Sequence, residues 1–242
     1  MIHIGTSGYN YPEWRGSFYP EKFPTSKMLA YYSARFDTVE VNYTFYRIPT
    51  PALLEGWANG TPDGFLFTLK APRRITHDSK LQRVEELTRN FCQTATTLGP
   101  KLGVLLFQFP PTFKRNDAVF GDFLGLLPEG TRAAFEFRHA SWHDDVVFQM
   151  LRERNLALCI ADSDKMSTPV VATADYTYFR LRDEGYQQPD IERWAGTIKQ
   201  ASAANPAYVY FKHEEQGKGP EFAQALRAIL NAPPFSIDAE RS

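Results

Sequence analysis

Short apolar stretches recur along the chain, each followed by turn residues and then by a segment with helical spacing. They are Ile2–Gly5, Thr38–Asn42, Phe65–Lys70, Gly103–Gln108, Ala133–Phe137, Ala157–Ala161, Tyr178–Leu181 and Tyr208–Phe211. Most are continuous apolar runs, as expected of strands covered on both faces. Between them, Ser26–Phe36, Pro51–Ala58, Arg83–Leu98, Asp117–Leu127, Ser141–Arg154, Asp190–Ala203 and Pro220–Leu230 read as helices. Strand alternating with helix over about eight units predicts an α/β fold closed as a (β/α) TIM-like barrel of seven or eight mostly parallel strands. The competing open, doubly wound sheet normally carries a GxGxxG turn after an early strand, and none is present. Thr168–Thr173 reads as a ninth short strand or as a loop. The pattern predicts one barrel domain over 1–235 and a polar tail over 236–242. Two connections, Thr6–Thr25 and Ala71–Gln82, are long enough to mark candidate functional loops.

The polar residues of the strands fall at their C-terminal ends. In Val39-Glu40-Val41-Asn42 the alternation of side chains puts Glu40 and Asn42 on the face opposite the two valines. The valines suit the surface beneath helices, so Glu40 and Asn42 face the barrel axis. The same reasoning sends Thr68 and Lys70 inward, ends the fourth strand at Gln108, and puts Glu136 with Arg138 and Arg180 with Arg182 on the axial face. The sixth strand ends with Asp162, and the eighth runs on into Lys212-His213-Glu214. An unpaired charge in a barrel interior costs several kcal/mol, so these groups must pair or line a wet cavity. Glu40, Glu136 and Asp162 balance Lys70, Arg138 and Arg180, and barrel enzymes carry their chemistry at this rim. A buried ion network that only fixes the fold is the other reading of the same residues.

Composition narrows the partners. Hydrophobic residues make up 43% of the 242, enough for a sizeable core. Lys plus Arg is 27 against 28 for Asp plus Glu, a net charge of -1, so no global positive field favours nucleic acid or an anionic membrane. Cys92 and Cys159 lie far apart and match no metal-ligand spacing, which fits a reducing cytoplasm. Met1 to Gly5 runs directly into a strand pattern, so no secretory leader is expected. No apolar run approaches the length of a membrane span.

Local motifs add candidates, each with a bland alternative. Gly5-Thr6-Ser7-Gly8 can form an anion nest or a plain tight turn. Tyr9, Tyr11, Trp14, Phe18 and Tyr19 crowd the first long loop, either as a platform over a pocket or as a satellite core. Tyr43 and Tyr46 follow the second strand and are candidate pocket residues, as are Trp14 and His77. Lys70 can bind an anion, or titrate if desolvated. Glu136-Phe137-Arg138-His139-Ala140-Ser141-Trp142 is the densest cluster: His139 is a candidate proton carrier beside Glu136, and Ser141 a candidate helix N-cap with Asp144. Neither a serine nucleophile elbow nor HExxH occurs.

These motifs together resemble the YecE-like family, domain of unknown function 72. The stretches that carry the resemblance include Ile4-Gly5-Thr6-Ser7-Gly8-Tyr9 with Trp14, Val39-Glu40-Val41-Asn42 with Thr44-Phe45-Tyr46, Lys70-Ala71-Pro72 with Thr76-His77, Gln108-Phe109-Pro110-Pro111, and Phe135-Glu136-Phe137-Arg138-His139 with Ser141-Trp142. The resemblance covers nearly the whole chain and implies a TIM-barrel-like fold, with seven strands in the barrel proper as one option. It implies no particular reaction. Arg182-Asp183-Glu184-Gly185 and Lys212-His213-Glu214-Glu215 depart from the commoner family pattern and bear on specificity.

Two functional classes follow. The first is an enzyme with hydrolase-like, lyase or isomerase acid/base chemistry on a small polar or anionic metabolite or sugar derivative. Glu40 and Glu136 would be the acid/base pair, with Lys70 and His139 as further catalytic candidates. Asn42, Tyr43, Tyr46, Gln108, Arg138, Asp162, Arg180, Trp14 and His77 would bind substrate. No cofactor is firmly implied, although a divalent metal held by Glu40, Glu136, Asp162 and His213 is a variant of this class. The second class is a non-catalytic binding protein for a phosphorylated or nucleotide ligand.

Overall fold

In the computed structural model, which describes residues 1–162 and 166–230, strands β1 (Ile2–Ser7), β2 (Thr38–Val41), β3 (Leu66–Lys70), β4 (Leu102–Gln108), β5 (Ala133–Glu136), β6 (Ala157–Ala161), β7 (Thr177–Leu181) and β8 (Ala207–Phe211) form one closed barrel. Every pairing is parallel, and β1 closes the ring on β8. The strand number is therefore eight, not seven. Around the ring lie α1 (Met28–Ser33), α2 (Tyr43–Tyr46), α3 (Pro51–Asn59), α4 (Glu85–Ala95), α5 (Asp117–Leu126), α6 (Asp145–Arg152), α7 (Gln188–Ala201) and α8 (Lys218–Ile229). Thr168–Thr173 is a loop, tied to β6 by the Thr168 amide on the Ala161 carbonyl and by the Thr173 hydroxyl on the Leu156 carbonyl. The expected tail 236–242 and the domain end at 235 lie outside the described residues. No helix among the described residues is long and apolar enough to cross a membrane.

The alternation of strand side chains divides the molecule into two apolar regions. Val39, Val41, Phe67, Leu69, Phe107, Phe135, Phe179 and Val209 point outward under the helices. Val104, Leu106, Ala134, Ala157, Cys159, Tyr176, Tyr178, Tyr208 and Tyr210 fill the axis. The tyrosines are inside because their hydroxyls find partners, as buried phenols must: Tyr210 meets Thr38 at 2.7 Å and Thr68 at 2.8 Å. Gly5 is dictated by close approach of β1 to β2, since a Cβ there would sit 2.1 Å from the Thr38 carbonyl oxygen. Gly8, at φ +92°, turns the chain out of β1 in a conformation that favours glycine.

Candidate functional site

Strand register explains which charges meet at the C-terminal end of the barrel. Ser7 lies opposite Glu40, and Gln108 opposite Glu136. Arg180, fully buried, bridges them. Its Nε donates to Glu40 Oε1 and Oε2 at 3.0 and 3.1 Å, its Nη1 to Glu136 Oε2 at 3.0 Å, and its Nη2 to Ser7 Oγ at 3.2 Å. Glu40 also accepts from the Ser7 hydroxyl and, at 2.5 Å, from the Tyr178 hydroxyl. Glu136 accepts from Gln108 Nε2 at 2.7 Å and from Arg138 Nε at 2.8 Å, with Arg182 Nη1 at 3.6 Å. Asn42 Nδ2 donates to Ser7 Oγ at 2.9 Å. Burial alone would raise the Glu136 carboxyl, but Arg180, Arg138 and the Gln108 hydrogen bond outweigh it and hold the group well below the usual carboxylate range. Glu40 and Glu136, expected as an acid/base pair, are thus occupied: they form the counter-charge that seats Arg180. Ser7, a member of the candidate nest, belongs to this network, and so does Tyr178, whose hydroxyl in an apolar strand looks like filler in the sequence.

Lys70 stands apart. Its side chain lies over the Phe45 ring, with Nζ 4.1 Å from the centroid, and it forms no ion pair or hydrogen bond among the described residues. Burial first, then the Arg180 charge, bring its amine down to about 7, with Glu136 and Glu40 opposing. His77 packs edge-on against the same Phe45 ring, at 5.0 Å between centroids, and its Nδ1 meets the Thr76 hydroxyl at 2.8 Å. Burial and the nearby Lys70 and Arg138 charges lower it to about 4, so it is neutral at pH 7.

Three clefts surround this floor. One of about 360 Å³ opens over Glu136, Arg138 and Arg182. A second, of about 480 Å³, shares Arg182 and continues to Lys212, His213 and Glu214. The third, about 260 Å³, is lined by Tyr11, Asn42, Tyr43 and Trp57. Arg138, Arg182 and Lys212 are only partly buried. Arg182 Nε and Asn42 Oδ1 are buried without a hydrogen-bond partner among the described residues, which is uncommon for such groups.

Several expected residues fall elsewhere. Asp162 has outward parity relative to Cys159 and Ala161 and does not join Arg180. It accepts from the Arg182 amide at 2.8 Å, the Trp194 indole at 3.1 Å and the Tyr186 hydroxyl. It clamps the connection after β7 to α7. Asp162→Ala should lower Tm by roughly 5 °C, since three bonds to an ionised acceptor are worth about 2 kcal/mol or more; an unchanged melt would show the clamp to be idle. Trp14 is 0% exposed and donates to the Glu214 carbonyl at 2.9 Å, so it packs as core. Tyr19 is buried beside it, stacked at 6.3 Å. The satellite-core reading of this loop holds for both. Tyr43 borders the smallest cleft, while Tyr46, 76% exposed, extends into solvent. His139 caps the turn Ala140–Trp142, with Nδ1 accepting from the Ser141 amide at 3.1 Å, and makes no contact with Glu136 among those described. Asp144, not Ser141, is the N-cap of α6. The turn after β1 is no anion nest: the Gly8 amide donates to the Glu40 carbonyl at 2.7 Å and the Thr6 amide to the Tyr32 hydroxyl at 2.8 Å. Glu40, Glu136, Asp162 and His213 do not converge, and no group of three or more metal-ligating side chains occurs among the described residues.

With this geometry in hand, the similarity to known proteins can be placed. A family model described as a protein of unknown function, DUF72, matches residues 3–241. UPF0759 protein YecE of Escherichia coli (strain K12) is 28% identical over 197 residues, which is 79% of this chain and 68% of that protein. UPF0759 protein YunF of Bacillus subtilis (strain 168) is 32% identical over 150 residues, covering 59% of this chain and about half, 52%, of the relative. A crystal structure of a DUF72 family protein from Thermotoga maritima MSB8 superposes with a TM-score of 0.82 at 27% identity, covering 96% of this chain and 99% of that one.

Proposed function

The chain belongs to the DUF72 family, and from that premise we propose that its barrel mouth is an enzyme site for a small anionic metabolite, with Lys70 as the group that gains and loses a proton. The observation that carries this reading is the division of labour among the charges. Glu40 and Glu136 are consumed by Arg180. What the rim then offers an anion is the part-exposed guanidinium groups of Arg138 and Arg182 over one cleft, beside Asp162 and Glu184, while Lys212 in the next is paired with Glu214. An anion there would accept from guanidinium forks whose geometry suits carboxylate or phosphate. The unpartnered Arg182 Nε would complete its hydrogen bonding in the same step. Lys70, buried at the end of β3 with an amine near 7, has the proton affinity that general acid/base work at neutral pH requires.

The test is a thermal-shift titration with inorganic phosphate, lactate and malonate, followed by turnover assays on the anions that bind. A stabilising anion should lose about tenfold or more in affinity in Arg138→Ala and again in Arg182→Ala, about 1.4 kcal/mol each. Identical affinities in parent and both variants would remove the anion site. Binding without turnover that depends on Lys70 would favour the non-catalytic class.

A further inference from the structure

Lysines in this molecule whose contacts are known are mostly paired. Lys101 Nζ donates to the Ala58 carbonyl at 2.6 Å and the Thr61 carbonyl at 2.7 Å. Lys212 meets Glu214 at 3.3 Å and Lys218 meets Glu221 at 2.9 Å. Lys70 is buried, 7% exposed at a strand end, and has no acceptor for its protons among the described residues. The charged groups that face it are Arg180 from β7, Glu136 and Arg138 from β5, and Glu40 from β2, with His77 on its own connection. Both carboxylates already belong to Arg180. The Phe45 face favours the ammonium, but by less than the hydration and ion pairing it lacks. The setting therefore favours the free amine, which is a nucleophile, and the Arg138 charge is among those that act on it.

Resting on the anion-site reading, we propose that Lys70 forms an imine with the carbonyl carbon of a small anionic aldehyde or ketone held by Arg138 and Arg182. The amine lone pair adds to the carbonyl carbon, and the carbonyl oxygen takes a proton to give a carbinolamine. The hydroxyl then leaves as water with the second amine proton as the C=N bond forms. Two protons and one oxygen depart together, no oxidant or reductant is consumed, and hydrolysis regenerates Lys70. Such an imine draws electrons from the adjacent carbon, which assigns the site to lyase-type bond cleavage or isomerisation next to a carbonyl. Holding the anion on the arginines, away from Lys70, keeps its charge from raising the amine again.

The experiment is reductive trapping of the full chain at pH 7 with sodium borohydride and, in separate reactions, glyoxylate, pyruvate and pyridoxal 5′-phosphate, read by peptide mass mapping. Lys70 should be modified about tenfold or more faster than exposed Lys22, because the larger free-amine fraction outweighs its lower intrinsic nucleophilicity. Its labelling rate should level off above about pH 7, where that of Lys22 is still climbing. Phosphate or lactate should slow labelling of Lys70 and leave Lys22 unaffected. Labelling of Lys70 no faster than Lys22 with all three carbonyl compounds would overturn the imine. The anion reading is judged separately, on stabilisation of the Lys70→Met variant by phosphate or lactate: it persists if only the imine is wrong, and is missing from parent and variant alike if the anion site itself is wrong.

Discussion

Replacing Arg180 by methionine is expected to lower stability by about 3–5 kcal/mol, which for a chain of this length lowers Tm by roughly 10 °C or more. The cause is not the loss of one favourable contact. Among the described residues Arg180 is the only partner that Glu40 and Glu136 share, and both carboxylates are almost wholly buried. Its removal leaves Glu40 with two hydroxyls, and Glu136 with Gln108 and the partly exposed Arg138. The pH dependence should reverse. In the parent, the folded carboxyl of Glu136 is depressed below its unfolded value of 4.5, so its contribution is present above that pH and is lost as pH falls through the folded value. In the variant, Glu136 stays buried without Arg180 and its carboxyl rises, so protonation stabilises the fold and that contribution disappears as pH rises. Arg180→Met should therefore melt higher at pH 5 than at pH 8, and adding Glu40→Gln and Glu136→Gln should recover much of the loss at pH 8. A variant melting within a few degrees of the parent at both values would show that the network does not govern the fold.

The second large effect runs the other way. Lys70→Met should raise Tm at pH 6 by roughly 5 °C while abolishing imine trapping at that position. The folded amine titrates near 7 and the unfolded one at 10.5, so between these values the unfolded chain binds more protons and stability rises with pH. Below 7 the full penalty of holding an ammonium in this buried place is present, and methionine removes it. The gain over the parent should shrink steadily toward pH 10. Destabilisation by Lys70→Met across the whole range would instead make the lysine a structural member of the barrel.

Much of this was legible because a buried strand states its own facing. Glu40, Glu136 and Arg180 were placed on the axis by parity alone, and the sequence order of strand ends was enough to bring them to one rim. The same rule applied to Cys159 and Ala161 sends Asp162 outward. Its place at a strand end suggests an axial group, but a strand end fixes height along the barrel and not direction. Partner choice was not legible. Which carboxylate takes which guanidinium depends on stagger between neighbours, as in Ser7 opposite Glu40 and Gln108 opposite Glu136. That stagger is set by closure of the ring, a property of no single segment. Trp14 illustrates a second limit. An indole in a polar loop reads the same whether it covers a pocket or plugs the barrel flank, and only its bond to the Glu214 carbonyl decides.

The layer of tyrosines beneath Arg180 has a kinetic consequence. Tyr176, Tyr178, Tyr208 and Tyr210 are buried along the barrel axis and fill it below the cleft over Arg138 and Arg182. On the enzyme reading proposed above, a ligand bound over those arginines would enter and leave on the same face of the barrel, and a product would compete directly with incoming substrate.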